Sequence, residues 1–237
     1  MPVVAYCQAQ VDGVGVVDVE GDYLAHVVAC ENDAAGPAAL AAQAIAARSY
    51  LYYRLDESGA IGDGQGDQVY SCANAPAPQH FAAVSATRGQ VLRYQDTQVA
   101  AFYVAGARQD GPTCRGSSDD PTGTERFVTY NDGLVGDTVV QTTLGRVDPT
   151  NFANRGCMSQ NGADCLGSAG LAAEDILRFY YGADIELVTA SGDCGDGGGG
   201  LGDGGCGLAP ARRRGGVPAL LVVLALVPWI RRRRGAS

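Results

Sequence analysis

The sequence predicts an α+β protein, in which a single mixed domain of short strands and helices forms around one alanine-rich helix. Three observations indicate this class. Apolar residues recur at helical spacing between Asp22 and Tyr53, short apolar runs such as Val91 to Tyr94 lie between turn residues, and Leu171 to Tyr181 is amphipathic. We expect the domain to span residues 1–190, followed by a glycine-rich linker (191–211) and an apolar C-terminal tail (212–237).

Two helices are expected in the first of these stretches. Asp22 is a good N-cap for a helix that should end near Asn32, which leaves Glu31 at the helix end. Pro37 suits the first position of a second helix, whose seven alanines between residues 38 and 47 permit close packing. Because the second helix can return Arg48 towards Glu31, the pair is a candidate acid site, although most such glutamates are solvated helix ends.

The remaining elements follow from shorter patterns. We expect strands at 14–19, 135–143 and 185–189, an extended piece at 68–70, a hairpin of 91–94 with 99–103, helices at 79–87 and 171–181, loops at 56–67 and 105–125, and a turn-rich segment at 151–164.

The charge distribution argues against a nucleic-acid partner. The chain has no lysine, and its 17 basic residues are all arginine. Seven of them lie in the tail, so residues 1–210 carry 10 arginines against all 26 acidic residues, a net charge of −16. A body this acidic repels nucleic acid and is compatible with an uncharged or sugar-like substrate, although solubility explains it equally well.

Eight cysteines without a CxxC pair favour disulfides in an oxidising compartment over a zinc ribbon or a redox motif. Spacing does not determine connectivity; Cys157 with Cys165 is the first pair to consider, and Cys72 with Cys114 the second. The first 13 residues lack the pattern of a signal peptide, so an export signal is expected upstream of Met1.

Several motifs resemble those of the stage II sporulation protein D family, also called the amidase enhancer domain. They are Asp22-Tyr23-Leu24 with Glu31, the run Ala42-Gln43-Ala44-Ile45-Ala46-Ala47-Arg48-Ser49-Tyr50, Gln68-Val69-Tyr70, Ala86-Thr87-Arg88-Gly89-Gln90-Val91-Leu92, Gly156-Cys157-Met158-Ser159-Gln160-Asn161-Gly162-Ala163, and the closing Ile176-Leu177-Arg178-Phe179-Tyr180-Tyr181-Gly182. They occur in the family's order over roughly residues 18–189.

The resemblance implies lytic cleavage of peptidoglycan glycan strands by one carboxylic acid, for which Glu31 is the matching residue. The resemblance makes a cell-wall amidase a possible partner, and no cofactor is expected for this chain. The residues that match positions expected to contact substrate are Gln43, Arg48, Gln68, Tyr70, Tyr103, Ser159 and Gln160. For Ser159 a structural role, tying a loop to backbone groups, is the favoured alternative.

The chain also departs from the family pattern. Asn32-Asp33 replaces a common Met-Pro, Asn161 replaces an aromatic residue, and Val104 replaces a histidine that can help to hold zinc. Only Cys114 remains as a candidate ligand there, so no metal is expected. Three hypotheses therefore stay open: a glycan-cleaving enzyme, a non-catalytic peptidoglycan-binding or amidase-modulating module, and an unrelated surface adhesion protein.

The tail predicts a location at the cell envelope or cell surface. A Gly-Cys pair containing Cys206, an apolar run of fourteen residues from Val217 to Ile230 and an arginine cluster resemble the sorting tails of myxobacterial surface proteins. In such tails the cysteine would be the attachment point. The alternative is a simple C-terminal membrane anchor, although the apolar run is shorter than the roughly 20 residues that cross a bilayer.

Overall fold

A computed structural model describes residues 2–109, 111–117 and 119–192, and it confirms the α+β class. Five α-helices are described: α1 (Leu24–Asn32), α2 (Pro37–Ser58), α3 (Pro78–Ala86), α4 (Gln160–Ser168) and α5 (Ala173–Tyr181). The strands of the same residues are β1 (Gln8–Val11), β2 (Gly15–Asp18), β3 (Gln90–Tyr94), β4 (Thr97–Gln98), β5 (Phe102–Val104), β6 (Cys157–Ser159) and β7 (Glu186–Thr189).

The strands form three small sheets. Strands β1 and β2 make an antiparallel hairpin, and β3 lies between β4 and β7 in an antiparallel sheet. Strands β5 and β6 pair in parallel, which aligns Tyr103 with Met158 and Val104 with Ser159. This parallel pair brings two segments that are distant in sequence to one side of the domain, where both contribute to the site described below.

Helix α2 is the centre of the core, as its alanine content predicts. Pro37 begins it, and Gly59 ends it in the left-handed conformation that glycine adopts without strain (φ 78°). One face packs against Leu24, Val27 and Val28 of α1, and the opposite face, with its small alanines, packs against α4 and α5; all of these side chains are buried. The small side chains permit helices to approach α2 from both sides.

A buried ion pair joins α2 to three other segments. Arg48 is fully buried and donates from Nε and Nη2 to the two carboxylate oxygens of Glu20, at 2.7 and 2.8 Å. Its guanidinium also donates to the carbonyls of Gln90 (3.1 Å) and Val84 (3.4 Å), and Glu20 accepts from the N–H of Gly89 (3.3 Å). The turn before α1, the end of α3 and the start of β3 therefore meet at this pair.

Three local predictions differ from the structure. The expected hairpin forms but is shorter than predicted: β3 pairs with β4 and the N–H of Val99 donates to Leu92, whereas the N–H of Ala100 donates to Ala153 and β5 pairs with β6. Residues 135–143 are not a strand, because the side chain of Asn131 binds both backbone groups of Val140 and replaces a neighbouring strand. The segment 151–164, expected to be turns, contains β6 and the start of α4.

Two disulfides join cysteines within the described residues, and they confirm the oxidised state expected for the cysteines but not the expected pairs. The bonds join Cys30 to Cys72 and Cys114 to Cys165, so the pairs Cys157–Cys165 and Cys72–Cys114 are wrong. Cys157 is a free, buried thiol, and burial raises its pKa. Within β6 it lies in the core at 0% exposure, and the cysteine predicted to pair with it, Cys165, is bonded to Cys114 instead.

The proposed linker and tail lie almost wholly outside the described residues. This applies to residues 193–211, to the tail 212–237, and therefore to Cys206 and the apolar run Val217 to Ile230. Among the helices that are described, none combines the length and the apolar character required to span a bilayer.

Substitution of one partner of the Arg48–Glu20 pair should destabilise the fold severely. Arg48→Met leaves the carboxylate of Glu20 buried without a cation, which costs about 3–5 kcal/mol of unfolding free energy. The double variant Glu20→Leu/Arg48→Met removes both charges and should be more stable than the single variant. Urea denaturation measures the unfolding free energy of both variants. The control is Arg146→Met, which breaks an exposed ion pair with Asp148 and should unfold like the parent. Parental stability of Arg48→Met would contradict this role.

Candidate functional site

Glu31 lies in the last turn of α1, as the sequence predicted, and its carboxylate faces a cleft. Asp18 caps the π-helical turn Val19–Tyr23 that leads into α1, and the buried side chains of α1 hold that helix against α2. The final turn of α1 then carries Glu31 out of the core to the cleft wall. The backbone therefore places this carboxylate at the boundary between the apolar core and solvent.

Burial changes the acidity of Glu31. Its Oε1 accepts from the backbone N–H of Val69 at 2.9 Å, and its Oε2 accepts from the side-chain amide of Gln160 at 3.2 Å. Desolvation raises the pKa of Glu31 above its ordinary value, while the two hydrogen bonds oppose that rise by favouring the carboxylate. Because desolvation is the larger effect, Glu31 retains its proton to a higher pH than an exposed glutamate.

The cleft has a volume of about 520 Å³, which is of the size used for small ligands or a few sugar units. Its residues come from α1, α2, the loop after α2, β5, the segment between β5 and β6, and the start of α4. The lining is Glu31, Tyr50, Gln65, Gly66, Asp67, Phe102, Tyr103, Val104, Ala105, Thr122, Thr124, Phe127, Leu144 and Gln160. Aromatic rings together with amide, hydroxyl and carboxylate groups are typical of a site for a polar, carbon-rich ligand such as a saccharide.

A second carboxylate, Asp67, lines the same cleft. It accepts from the hydroxyl of Tyr50 at 2.8 Å and from the N–H of Gly62 at 2.9 Å, and it forms an ion pair with Nε of Arg54 at 2.9 Å. The Tyr50 hydroxyl thus donates to Asp67, which leaves its oxygen available to accept. Asp67 is occupied by three partners, whereas Glu31 has one bond on each oxygen.

Of the eight side chains predicted to form the site, three line the cleft: Glu31, Tyr103 and Gln160. Gln160 is 6% exposed and binds Glu31 directly. Burial and the neighbouring charge of Glu31 raise the pKa of the Tyr103 hydroxyl. The parallel pairing of β5 with β6 explains this proximity, since Gln160 follows β6 immediately and Tyr103 is the middle residue of β5.

Ser159 has the structural role that was the favoured alternative. Its hydroxyl accepts from the N–H of Gly162 at 3.0 Å, which caps α4, and donates to the carbonyl of Ala105 at 3.3 Å. Gly106 adjoins this contact with a φ of 70°, and a Cβ there would lie 2.1 Å from the Ser159 hydroxyl. The loop after β5 can approach α4 this closely because residue 106 is a glycine.

Four other predicted contacts do not line the cleft. Arg48 does not lie beside Glu31, because its guanidinium is hydrogen-bonded to the carboxylate of Glu20 inside the core. Gln68 is fully buried, donating to the carbonyl of Ala47 at 3.0 Å and accepting from Tyr23 at 2.9 Å. These interactions fix the segment that donates to Glu31, so both side chains act on the site through the fold.

Tyr70 and Gln43 complete the set outside the cleft. Tyr70 stacks on Tyr23 with ring centroids 5.5 Å apart, and its hydroxyl donates to Asp22 at 3.3 Å. Gln43 is fully buried in α2, and neither its amide nitrogen nor its amide oxygen has a hydrogen-bond partner within the described residues. Substrate contact by these two side chains is therefore not supported by their positions.

The Cys30–Cys72 disulfide holds the two segments that meet at Glu31. Cys30 precedes Glu31, and Cys72 lies three residues after Val69, whose N–H binds the Glu31 carboxylate. The second disulfide connects Cys114, in the loop after β5, to Cys165 of α4.

In the described part of the chain no group of three or more His, Cys, Asp or Glu side chains is arranged to hold a metal ion, and Cys114 is occupied by its disulfide.

Sequence reasoning missed Tyr50, Asp67, Phe102 and the threonines Thr122 and Thr124 as cleft residues. A signal existed for two of them: Asp67 adjoins the Gln68-Val69-Tyr70 motif, and Tyr50 ends the run that contains Arg48. The threonines lie in the 105–125 loop, which was expected to border a site, but the position of that loop depends on a disulfide and on Ser159.

A comparison with known protein families finds a match over the first part of the domain. The family model described as stage II sporulation protein matches residues 8–94, a range that includes Glu31, Arg48, Gln68 and Tyr70. No curated protein matches the chain significantly.

Loss of the Gln160 amide should raise the pKa of Glu31 further. Gln160→Leu removes a hydrogen bond that favours the carboxylate and leaves the burial that favours the neutral acid. Carbon-13 NMR titration of the Glu31 carboxyl measures the change. Gln65→Leu is the matched control, because exposed Gln65 lines the cleft without a described bond to Glu31. An unchanged or lower pKa in Gln160→Leu would show that the Gln160 contact does not stabilise the charge.

Proposed function

We propose that this protein is a lytic transglycosylase that cleaves peptidoglycan glycan strands. The match of residues 8–94 to the stage II sporulation protein family supports a role at the cell wall. One observation carries this proposal: Glu31 has its pKa raised by burial and lies in a cleft lined with aromatic and hydrogen-bonding groups. A carboxyl group that stays protonated towards neutral pH is suited to act as a general acid.

In the first step of the proposed reaction, Glu31 donates its proton to the glycosidic oxygen as the bond from that oxygen to the anomeric carbon breaks. The N–H of Val69 and the amide of Gln160 then stabilise the carboxylate that forms. These two donors are already in position before the proton leaves, so little reorganisation accompanies the change of charge.

In the second step, the Glu31 carboxylate takes the proton from the 6-hydroxyl of the same sugar while O6 forms a bond to the anomeric carbon. The products are a shortened strand with a free hydroxyl and a strand that ends in a 1,6-anhydro sugar. Glu31 ends the cycle protonated, and no water is consumed. One carboxyl group therefore performs both proton transfers.

Asp67 raises the alternative of a two-carboxylate hydrolase, in which a second carboxylate activates water or attacks the sugar. Its contacts argue against that role. Its pairing with Arg54 and its bonds from Tyr50 and Gly62 stabilise the negative charge and occupy its oxygens, which weakens Asp67 as a base or nucleophile. The transglycosylase reaction needs Glu31 alone.

A non-catalytic peptidoglycan-binding or amidase-enhancing module is the second candidate. The burial of Arg48 away from the cleft favours it, since none of the described cleft-lining residues is then an arginine that could orient the substrate. The departures at Asn32, Val104 and Asn161 favour it too. Asn161 is used to hold the loop after β5, through a bond from its amide to the carbonyl of Gly106 at 3.0 Å.

The same proposal includes a location at the cell envelope. The two disulfides support an extracellular site of action, and the order of Cys206, the apolar run and the arginine cluster supports attachment through the tail. The domain would then end near residue 190, with the linker to 211 separating it from the tail. A cell-wall amidase is the proposed partner protein.

Glu31→Gln should lower glycan cleavage by about 10²- to 10⁴-fold while retaining glycan binding, because it keeps the shape of the side chain and removes the proton. Mass analysis of digested sacculi measures cleavage and should detect strands ending in 1,6-anhydro sugars. Glu186→Gln makes the same chemical change on exposed strand β7 and should cleave like the parent.

Two outcomes would contradict the proposal. Products with reducing ends would identify a hydrolase. Equal trace release by the parent and by Glu31→Gln, with binding retained in both, would favour the binding module.

A further inference from the structure

A second pocket lies beside the cleft that contains Glu31. It has a volume of about 320 Å³, and its lining comes from the end of β3 and from the segments 136–141 and 147–155. Leu144 lines the cleft and Val147 lines this pocket, and both side chains are exposed (42% and 57%). Three residues of chain span at most about 11 Å, so the two sites come within that distance of each other at the surface.

The two sites share one wall, which is the loop that contains Gly145. A Cβ at Gly145 would lie 2.6 Å from Cζ of Phe102, which lines the cleft, and 3.5 Å from Nδ2 of Asn154, which lines the pocket. The same Nδ2 donates to the carbonyls of Thr142 at 2.8 Å and Arg146 at 2.9 Å. Asn154 therefore holds this loop as a narrow ridge between the cleft and the pocket.

The pocket offers apolar surface that is accessible to a ligand. Phe152 is 40% exposed, and its ring meets that of Tyr94 edge to face with centroids 5.8 Å apart. Val140 is 53% exposed on the same pocket, as is Val147 at 57%. Exposed apolar side chains that are grouped in one concave site are typical of a binding surface. A ring such as that of Phe152 can contact the C–H face of a sugar.

Unused polar groups surround this apolar surface. Arg155 is 4% exposed and lines the pocket; its Nε donates to the carbonyl of Tyr181 and its Nη2 to Asp184, whereas no hydrogen bond within the described residues uses its Nη1. In the same part of the chain, the exposed carboxylate of Asp137 and Oδ1 of Asn151 also have no hydrogen-bond partner. One donor and two acceptors beside an aromatic ring match the hydroxyl and acetamide groups of a saccharide.

We propose that this pocket is a second saccharide site for the glycan strand that occupies the cleft. The strand would cross the ridge at Gly145 and place a further sugar against Phe152. This inference rests on the proposed glycan-cleaving function. Phe152 then contributes to binding and takes no part in proton transfer, and long strands bind more tightly than short ones because they contact both sites.

A series of strand lengths tests the proposal. Glycan strands of one composition are prepared from disaccharide to dodecasaccharide, and calorimetry measures their affinity for full-length Glu31→Gln, which leaves them intact. Affinity should increase with length until a strand fills both sites. Adding Phe152→Ala removes the exposed ring, so it should lower the affinity of the longest strands about tenfold and have a progressively smaller effect on shorter ones.

Phe81→Ala is the matched control. Phe81 is exposed to nearly the same extent as Phe152 (42% against 40%), but it lies on α3 and lines neither site. Its replacement should leave the affinity unchanged at every length. The loss caused by Phe152→Ala is then specific to the pocket.

Val147→Arg protects the test against misfolding of Phe152→Ala. Val147 is 57% exposed, so a long side chain at this position obstructs the pocket without disturbing the core. The same length-dependent loss of affinity is expected. If both variants bind every strand like the parent, or lose the same factor at every length, the second saccharide site is overturned.

Cleavage assays separate this inference from the proposed function. A length-dependent loss of affinity together with no cleavage by the parent would refute the transglycosylase and leave the second saccharide site in place. Normal cleavage by the parent, together with affinities that do not depend on Phe152 at any length, would refute the second site alone.

Discussion

The fold depends on the burial of one charged pair inside its most apolar region. Arg48 is at 0% exposure in α2, and its guanidinium contacts Glu20 and the carbonyls of Val84 and Gln90. A buried arginine is tolerated only when each donor finds an acceptor, so the turn before α1, the end of α3 and the start of β3 must come together around it. The ion pair therefore constrains how these short segments can pack against α2.

That arrangement determines where Glu31 lies. Glu20 fixes the start of the segment that continues into α1, and α1 ends at Glu31. At the other side of the residue, the Cys30–Cys72 bond and the burial of Gln68 hold Val69 where its N–H reaches the carboxylate. The position of Glu31 is therefore set by contacts between segments distant in sequence.

The sequence allowed the main helices, the α+β class and the position of Glu31 at a helix end to be predicted, because helix patterns are local signals. The N-cap predicted at Asp22 is wrong, since Asp22 lies within the π-helical turn Val19–Tyr23, which Asp18 caps. It did not determine which polar residues share the cleft. Arg48 and Gln68 belong to motifs near Glu31 in the chain, yet both are turned into the core by partners supplied from elsewhere, Glu20 and Tyr23. The strand predicted at residues 135–143 is wrong for a similar reason, since the side chain of Asn131 supplies the hydrogen bonds that a neighbouring strand would otherwise provide.

The burial of Arg48 also has a chemical consequence for the acid. A cation beside Glu31 would stabilise the carboxylate and lower its pKa, which would remove the proton that a general acid needs near neutral pH. Here the pairing of Arg48 with Glu20 and of Arg54 with Asp67 leaves Glu31 with the uncharged donors Val69 N–H and Gln160. Such donors can stabilise the carboxylate after proton transfer without cancelling the effect of desolvation before it. The two ion pairs therefore have two effects. They stabilise the fold, and they keep the guanidinium groups of Arg48 and Arg54 away from Glu31, whose pKa stays raised because no described cation lies beside it.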